Sequence, residues 1–319
     1  MPSTATNTAS PLWVTIAFAT VYLVWGSTYF FIRFAMQGGF PPFLLGAVRF
    51  IIAGLIMMAW CVIKKEKLFN RRDMITAAVT GVLLLFIANG IVIWSEKTLP
   101  SAMVAILASS APIWFVLLDK PHWGVNFRST STITGLIMGF GGVMLLFSEQ
   151  LSNLFKSADA QSKLPWMLLL IFGTISWSAG SIYSKNRGSA SSTSVSSAWQ
   201  MLAAGFVYVP VSFLHGEYKG LHIQNIHASG WMGLIYLIIF GSIAGFSAYV
   251  WLLQVRPATQ VSTYAYVNPV IAVILGIFFG GEHISITQIG GLAVILLSVL
   301  LINLSKYRKE KKAVALVVD

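Results

Sequence analysis

The sequence predicts an all-α, polytopic membrane protein of ten transmembrane helices in two inverted five-helix repeats. Three observations lead to this prediction. Of the 319 residues, 56% are hydrophobic and only 10% are charged, whereas a soluble domain carries about 25% charged residues. Ten apolar runs follow one another with short connections. The segment 94–118 recurs, shifted by 157 positions, at 251–275, and self-similarity of this kind indicates a repeat architecture.

The apolar runs are long enough to cross a bilayer, because a helix needs roughly 20 apolar residues to do so. They do not alternate apolar and polar residues as outer-membrane strands do, and a single strand in lipid would leave its backbone unpaired. Helices are therefore favoured. In order along the chain they are predicted at 12–32, 43–63, 74–93, 99–118, 131–148, 165–184, 195–214, 230–252, 259–279 and 285–304.

The polar segment 149–164 separates the two halves of the chain. We therefore predict a tail at 1–11, a first five-helix repeat at 12–148, a linker at 149–164, a second repeat at 165–304 and a basic tail at 305–319. The first tail has no Lys or Arg, so it lacks the charged region of a signal peptide. Because five is odd, the second repeat should enter the membrane from the opposite side.

The distribution of Lys and Arg predicts that both termini are cytoplasmic, since basic residues concentrate in cytoplasmic loops. With this orientation only five basic residues lie outside: Arg33, Lys97, Lys156, Lys163 and Lys219. Fifteen lie inside: Lys64, Lys65, Lys67, Arg71, Arg72, Lys120, Arg128, Lys185, Arg187, Arg256, Lys306, Arg308, Lys309, Lys311 and Lys312. We accordingly expect a multi-pass protein of the inner, or plasma, membrane.

The repeat extends beyond its strongest segment. Residues Trp94, Pro100, Val104, Ala108, Pro112, Val116 and Leu118 match Trp251, Pro257, Val261, Ala265, Pro269, Val273 and Leu275. In the second predicted helix, Ala47, Arg49, Ala53 and Gly54 lie 151 positions before Ala198, Gln200, Ala204 and Gly205. Inverted repeats are typical of secondary transporters, whose substrate site lies between the repeats near mid-membrane.

Pro112 and Pro269 lie inside the fourth and ninth predicted helices. Proline has no N–H, so the carbonyls of Ala108 and Ala265 lose their helical partners. In lipid such a carbonyl is tolerated only where it faces protein or a wet cavity. We therefore predict that both helices line a cavity and bend at these two hinge prolines. The alternative is an ordinary kinked helix that serves only packing.

Polar and aromatic residues within the spans are candidates for binding a substrate. Tyr264 and Asn268 lie four residues apart, on one helix face. A single tryptophan, by contrast, is more typical of an anchor at the membrane interface. The full set of candidate substrate-binding residues is Trp25, Thr28, Arg49, Asn89, Ser109, Ser110, Trp177, Tyr249, Tyr264 and Asn268.

Arg49 allows two interpretations. A guanidinium near the bilayer centre costs at least ~2.5 kcal/mol, so it requires a partner, a cavity or a headgroup. It could recognise an anion or a carboxylate. Alternatively, because it lies only six residues into the second helix, its side chain could reach the interface and be structural.

Several classes of function are disfavoured. The single cysteine, Cys61, excludes an intramolecular disulfide and a cysteine zinc cluster. The net charge of +11 does not indicate nucleic acid, because the basic residues lie between the apolar runs. The sequence has no P-loop and no H-E-x-x-H motif, and its carboxylates lie in loops, tails or helix ends. We expect no metal, no cofactor and no catalytic residues.

Several motifs resemble the EamA-type branch of the drug/metabolite transporter superfamily: Trp25-Gly26-Ser27-Thr28-Tyr29, Ile32-Arg33-Phe34-Ala35, Pro41-Pro42-Phe43, Arg49-Phe50, Asn268-Pro269 and Gly281-Glu282. The resemblance implies a ten-helix carrier in which helices one, three, four, six, eight and nine surround a central cavity. It also implies export of amino acids, other metabolites or drugs. One departure is Asp119-Lys120-Pro121-His122-Trp123-Gly124, where that family often repeats a Gly-Glu pair.

The expected function is thus that of a secondary transporter, which moves a small amphipathic solute across the lipid bilayer by alternating access, in the direction of export. The alternatives are a non-transporting membrane protein, such as a lipid-modifying enzyme or an assembly factor, and a pore. The sequence leaves the substrate, the coupling ion and the oligomeric state open.

Overall fold

In a computed structural model the chain is described over residues 9–99, 101–149, 151–152, 160–219, 221–280 and 285–318. Residues 1–8, residues 153–159 of the predicted linker and the Gly281-Glu282 motif lie outside these ranges. All described elements are helices. The long ones are α1 (Pro11–Gln37), α2 (Pro42–Ile63), α3 (Arg71–Ser95), α4 (Ser101–Ala108 and Ala111–Leu118), α5 (Thr130–Leu146), α6 (Ala160–Arg187), α7 (Thr193–Leu214), α8 (Ala228–Val255), α9 (Ala258–Val261 and Tyr264–Gly280) and α10 (Ile286–Val318).

The all-α class is confirmed for the described part of the chain. There, eight helices are long and apolar enough to cross a membrane. A ninth is added if Met103–Leu118 and the short Lys120–Asn126, bent by 72°, count as one span. The shorter apolar helix Thr130–Leu146 occupies the fifth predicted position. Helix α10 continues through most of the predicted basic tail.

Local sequence signals define where several helices begin. Pro11 and Pro42 occupy the first turns of α1 and α2, where the missing N–H of proline costs nothing. Before α3, the side-chain oxygen of Asn70 accepts hydrogen bonds from the next backbone N–H groups. Ser129 and Ser192 cap α5 and α7 in the same manner. These caps satisfy N–H groups that the first helical turn leaves unpaired.

Helices α2 and α7 pack antiparallel through two matching glycine contacts. A Cβ atom placed on Gly54 would lie 2.8 Å from the Leu202 side chain, and one on Gly205 would lie 2.7 Å from that of Ile51. Since 54 and 205, like 51 and 202, differ by 151 positions, the second contact is the repeat-related copy of the first. The glycine contacts of this helix pair are therefore reciprocal.

Helices α5 and α10 form a second antiparallel pair of the same kind. A Cβ atom on Gly135 would lie 2.5 Å from the Ile302 side chain, and one on Gly291 would lie 2.6 Å from the Leu146 backbone. Gly135 and Gly291 differ by 156 positions, and so do Leu146 and Ile302, so each contact is the repeat-related copy of the other. In addition, α1 packs on α8 and α9, and α6 packs on α3 and α4.

Helices α3 and α8 each contain a π-helical segment, at Val82–Ala88 and Leu237–Phe246. The sequence pattern does not predict these segments. In each, a neighbouring helix donates to a backbone carbonyl: Ser176 of α6 to Leu83 at 2.8 Å, and Trp25 of α1 to Gly241 at 3.2 Å. π segments occur frequently at functional sites, and these two lie at corresponding places in the two halves.

Helices α4 and α9 are both interrupted, but at different places relative to their prolines. The break in α4 falls at residues 109–110, and Pro112 stands in the first turn of the following segment. The break in α9 falls at residues 262–263, whereas Pro269 lies inside the segment Tyr264–Gly280. The interruption of α9 therefore precedes the predicted hinge by almost two turns.

Candidate functional site

A cavity of about 90 Å³ lies at the centre of the helices. Seven of the predicted site residues line it: Trp25, Thr28, Arg49, Asn89, Trp177, Tyr264 and Asn268. Ala108 and Ala265, whose carbonyls the prolines release, line it as well. The lining comes from α1, α3, α4, α6, α8 and α9, as the resemblance implies, and also from α2 through Arg49. The volume is below the roughly 300–1,000 Å³ of most small-molecule sites, so admitting a metabolite requires side chains to move.

Four rings from four helices form an aromatic cluster beside this cavity: Trp25 of α1, Trp177 of α6, Tyr249 of α8 and Tyr264 of α9. The centroids of Trp25 and Trp177 are 5.3 Å apart, and those of Trp25 and Tyr264 are 5.0 Å apart, both pairs in edge-to-face geometry. Tyr249 lies 4.9 Å from Trp25 and 5.5 Å from Trp177. Edge-to-face rings at these distances attract each other, so the cluster joins both halves of the chain.

Hydrogen bonds fix the orientation of the cluster. The indole N–H of Trp177 donates to the hydroxyl of Tyr249 at 2.9 Å, and the indole N–H of Trp25 donates to the Gly241 carbonyl. The Tyr249 hydroxyl also lies 2.6 Å from Ser181 Oγ. The polar atoms of Trp25, Trp177 and Tyr249 are therefore paired within the protein, which fixes the orientation of these three rings.

Arg49 is buried, with 4% of its surface exposed. Its Nε donates to Ser242 Oγ of α8 at 2.8 Å, and its guanidinium carbon lies 4.8 Å from the Phe50 ring centroid. Gly241 leaves space for the group, because a Cβ atom there would be 2.8 Å from Arg49 Nη2. The remaining terminal nitrogen, Nη1, has no hydrogen-bond partner among the described residues.

Two amides contribute further polar atoms to the cavity lining. Asn268 of α9 is 4% exposed, and Asn89 of α3 is partly buried. Within the described part of the chain, the side-chain oxygen of each has no hydrogen-bond partner. An amide side chain both donates and accepts hydrogen bonds, so these two positions can pair with either type of group on a solute.

Ser109, Ser110 and Tyr249 lie outside the cavity lining. Ser109 Oγ is 2.7 Å from the Ala105 carbonyl and 2.8 Å from that of Ala265. The latter is the carbonyl that Pro269 leaves without a helical partner, so α4 supplies the hydrogen bond that α9 lacks. Ser110 donates to the Leu107 carbonyl and lies 3.2 Å from Thr174 Oγ1. The structure thus gives both serines backbone partners at the break in α4.

The sequence matches the family of EamA-like transporters twice, over residues 12–148 and 164–304. The chain belongs to this family. It is 36% identical over 301 residues to the uncharacterized inner membrane transporter YedA of Escherichia coli K12, covering 93% of each chain. It is 22% identical over 303 residues to the uncharacterized transporter YvbV of Bacillus subtilis 168, covering 92% of each. A crystal structure with 20% sequence identity aligns with a TM-score of 0.73 over 91% of this chain and 97% of the other, and supports the same fold.

This EamA-like protein is therefore a multi-pass membrane transporter. Its central cavity also contains residues that were not predicted from the sequence. Among them are Tyr29, Thr174, Gly241 and Phe246, together with Ser242, which orients Arg49. One sequence feature could have indicated this part of the cavity, because Gly241, Ser242 and Gly245 form a cluster of small residues inside an apolar span. Such residues permit close approach of neighbouring helices.

A second cavity of the transporter, of about 370 Å³, lies where α4, α6 and α8 end and α5 and α9 begin. We call this side of the membrane, from which α1 also starts, the amino-terminal side. Lys185 Nζ donates to the carbonyls of Leu253 and Arg256, both at 2.6 Å. Asp119 is buried and pairs with His122 at 2.8 Å. The departure from the family motif thus lines a polar vestibule.

Proposed function

We propose that the chain is a secondary transporter of small amphipathic metabolites, such as amino acids, that works by alternating access. One observation carries the proposal. The central cavity combines the rings of Trp25, Trp177 and Tyr264 with buried polar atoms of Arg49 and Asn268 that have no hydrogen-bond partner among the described residues. An apolar wall with a few convergent polar groups is the usual composition of a small-molecule site.

Reciprocal packing supports an inverted repeat. The copied glycine contacts of α2 with α7 and of α5 with α10 are those that a two-fold relation between the halves would produce, and both pairs are antiparallel. Two similar units of opposite orientation can exchange conformations, which converts a cavity open on one side into a cavity open on the other. The repeats would thus alternate around the residues between them.

Two cross-helix hydrogen bonds supply a candidate barrier between the cavities. Along α6, Trp177 lines the central cavity and Lys185 the second cavity. Ser181 stands between them and bonds to Tyr249. Along α9, Thr263 lies between a residue that lines the second cavity and a residue that lines the central cavity. Its Oγ1 is 2.7 Å from the hydroxyl of Tyr22. We call these two bonds the amino-terminal gate.

We place the transporter in the inner membrane with both termini in the cytoplasm. The excess of basic residues on that side supports the orientation, and the YedA relative is named as an inner membrane transporter. The proposed direction is export, as the resemblance to metabolite and drug exporters implies. We propose no catalytic role.

Counterflow tests the transport function. Purified protein in liposomes loaded with unlabelled amino acids is expected to accumulate the matching labelled amino acid, and uptake should saturate with concentration. Protein-free liposomes provide the control. Flux that rises linearly without saturation would indicate a pore, and folded protein without flux for any solute of a broad metabolite panel would overturn the proposal.

Cysteine accessibility tests alternating access. In a background in which the buried Cys61 is replaced by alanine, Ala108→Cys and Ala265→Cys place thiols at repeat-related positions of the cavity lining. Each is expected to react with an impermeant maleimide from both sides of the membrane, and transported solute should change the two rates in opposite directions. Ile137→Cys is the control, because this side chain is 69% exposed on the apolar α5 and would face lipid. Labelling from one side only under all conditions would contradict alternation.

A further inference from the structure

We propose that Arg49 binds the carboxylate of the transported solute, so that the transporter selects carboxylate-bearing solutes over neutral or cationic ones with the same apolar frame. The inference rests on the proposed transport function and specifies its substrate class. The solute's apolar part would lie against the three rings of the aromatic cluster that line the cavity, those of Trp25, Trp177 and Tyr264.

The guanidinium of Arg49 is oriented but has no anionic partner in the described protein. Among the described residues, no Asp or Glu oxygen lies within 4.0 Å of it. Nε is engaged by the neutral hydroxyl of Ser242. Burying a charge without a counter-charge is costly, and a bound carboxylate would remove this cost in the loaded state.

The geometry leaves the end of the guanidinium for such a partner. Arg49 Nε donates a hydrogen bond to Ser242, and the guanidinium carbon lies over the Phe50 ring. The missing side chain of Gly241 allows Nη2 to approach α8 closely. Nη1 is buried and without a partner in the described ranges, although Arg49 lines the cavity. Paired guanidinium N–H groups match the two oxygens of a carboxylate. A carboxylate admitted by movement of the surrounding side chains would therefore meet a guanidinium nitrogen that has no competing partner in the described ranges.

A purely structural role does not account for the charge. With 4% of its surface exposed, the Arg49 side chain is enclosed by protein and does not extend along the outside of its helix toward the lipid headgroups. Its repeat-related residue in α7, Gln200, is fully buried, and its side-chain nitrogen bonds to Ser196 of its own helix. Gln200 is not among the residues that line the central cavity. A neutral polar residue thus satisfies the packing at this position of the repeat, and the cation occurs in the half where the position faces the cavity.

Competition in counterflow with two matched series tests the inference. The first comprises phenylalanine, 3-phenylpropionate, phenylalaninamide and 2-phenylethylamine, and the second comprises leucine, 4-methylpentanoate, leucinamide and 3-methylbutylamine. Thermal stabilisation of the purified protein provides an independent readout of binding. Because charge-assisted hydrogen bonds are stronger than neutral ones, we expect the carboxylates to bind about 10- to 100-fold more tightly than the amides and amines.

Variants of Arg49 assign this preference to the residue. Arg49→Gln, which copies the residue at position 200, should fold and should lose the preference for carboxylate over amide. Arg49→Lys retains the charge but not the paired donors, so it should retain part of the preference. Lys64→Gln removes one positive charge from the exposed end of the same helix and should leave the preference unchanged.

Each possible outcome has a defined meaning. Equal competition by carboxylates, amides and amines on the wild-type protein would overturn the inference while leaving the transport function intact, and so would a carboxylate preference that persists in Arg49→Gln. If Arg49→Gln does not fold, the two solute series on the wild-type protein still decide. Folded wild-type protein that neither binds nor exchanges any solute, including members of a broader metabolite panel, would overturn the proposed function as well.

Discussion

At the scale of single residues, Gly241 contributes to the position of two cavity-lining side chains although it has no side chain of its own. Its carbonyl accepts the indole N–H of Trp25, and its missing Cβ leaves room for the guanidinium of Arg49. Both the aromatic cluster and the buried cation therefore depend on one position in the π segment of α8. A glycine inside an apolar run signals close approach of another group, but it does not reveal which group approaches.

Replacing Gly241 by alanine should impair solute binding more than stability. The new Cβ would meet Arg49 Nη2 at 2.8 Å and Thr28 Cγ2 at 3.3 Å. Because the nearest atom is the end of a flexible side chain, the guanidinium can move without unfolding the helix. We expect KM in counterflow to rise about three- to tenfold, the equivalent of one lost hydrogen bond, and the melting temperature to change little. Gly141→Ala is the control, since nothing lies within 4 Å of its Cβ position; an unchanged KM for Gly241→Ala would contradict this reasoning.

At the scale of helices, the apolar runs and the polar segments between them predicted the order of the elements, because lipid selects for uninterrupted apolar stretches. The repeat also predicted which positions correspond, and the glycine contacts show these positions packed against each other. The π segments and the break at residues 262–263 could not be predicted, because donors from other helices stabilise them: Ser176 and Trp25 bond to the π segments, and Tyr22 meets Thr263. Local sequence does not contain this tertiary information.

Reciprocal packing predicts matched effects of matched mutations. Gly54→Ala and Gly205→Ala would each push α2 away from α7, because backbone nitrogens of Leu202 and Ile51 lie only 3.0 Å and 2.8 Å from the added Cβ atoms. Each should lower the free energy of unfolding by about 1–3 kcal/mol, as overpacking does. Thermal unfolding in detergent measures the loss, with Gly141→Ala as the control. A large loss for one glycine and none for the other would argue against the two-fold relation.

At the scale of the whole molecule, the proposed alternation would act on the layer between the two cavities. The central cavity is small, and the wider one on the amino-terminal side is separated from it by the gate bonds of Tyr249 with Ser181 and Tyr22 with Thr263. Helices α1, α6, α8 and α9 all contribute to these bonds. Under the proposed alternating access, opening this side would move helices of both halves, which would couple the gate to the exchange of the repeats.

Removing the gate bonds should shift the population toward the state that is open on the amino-terminal side. Tyr22→Phe combined with Ser181→Ala deletes one hydroxyl from each bond and retains the tyrosine ring of the aromatic cluster. A hydrogen bond present in only one of two states biases their equilibrium by its net free energy. We therefore expect Ala108→Cys to be labelled about three- to tenfold faster from the amino-terminal side and more slowly from the other. Tyr218→Phe, which alters a tyrosine 37% exposed beyond the end of α7, should leave both rates unchanged. If both rates rise together in the double variant, the helices have loosened rather than exchanged, and these bonds do not form a gate.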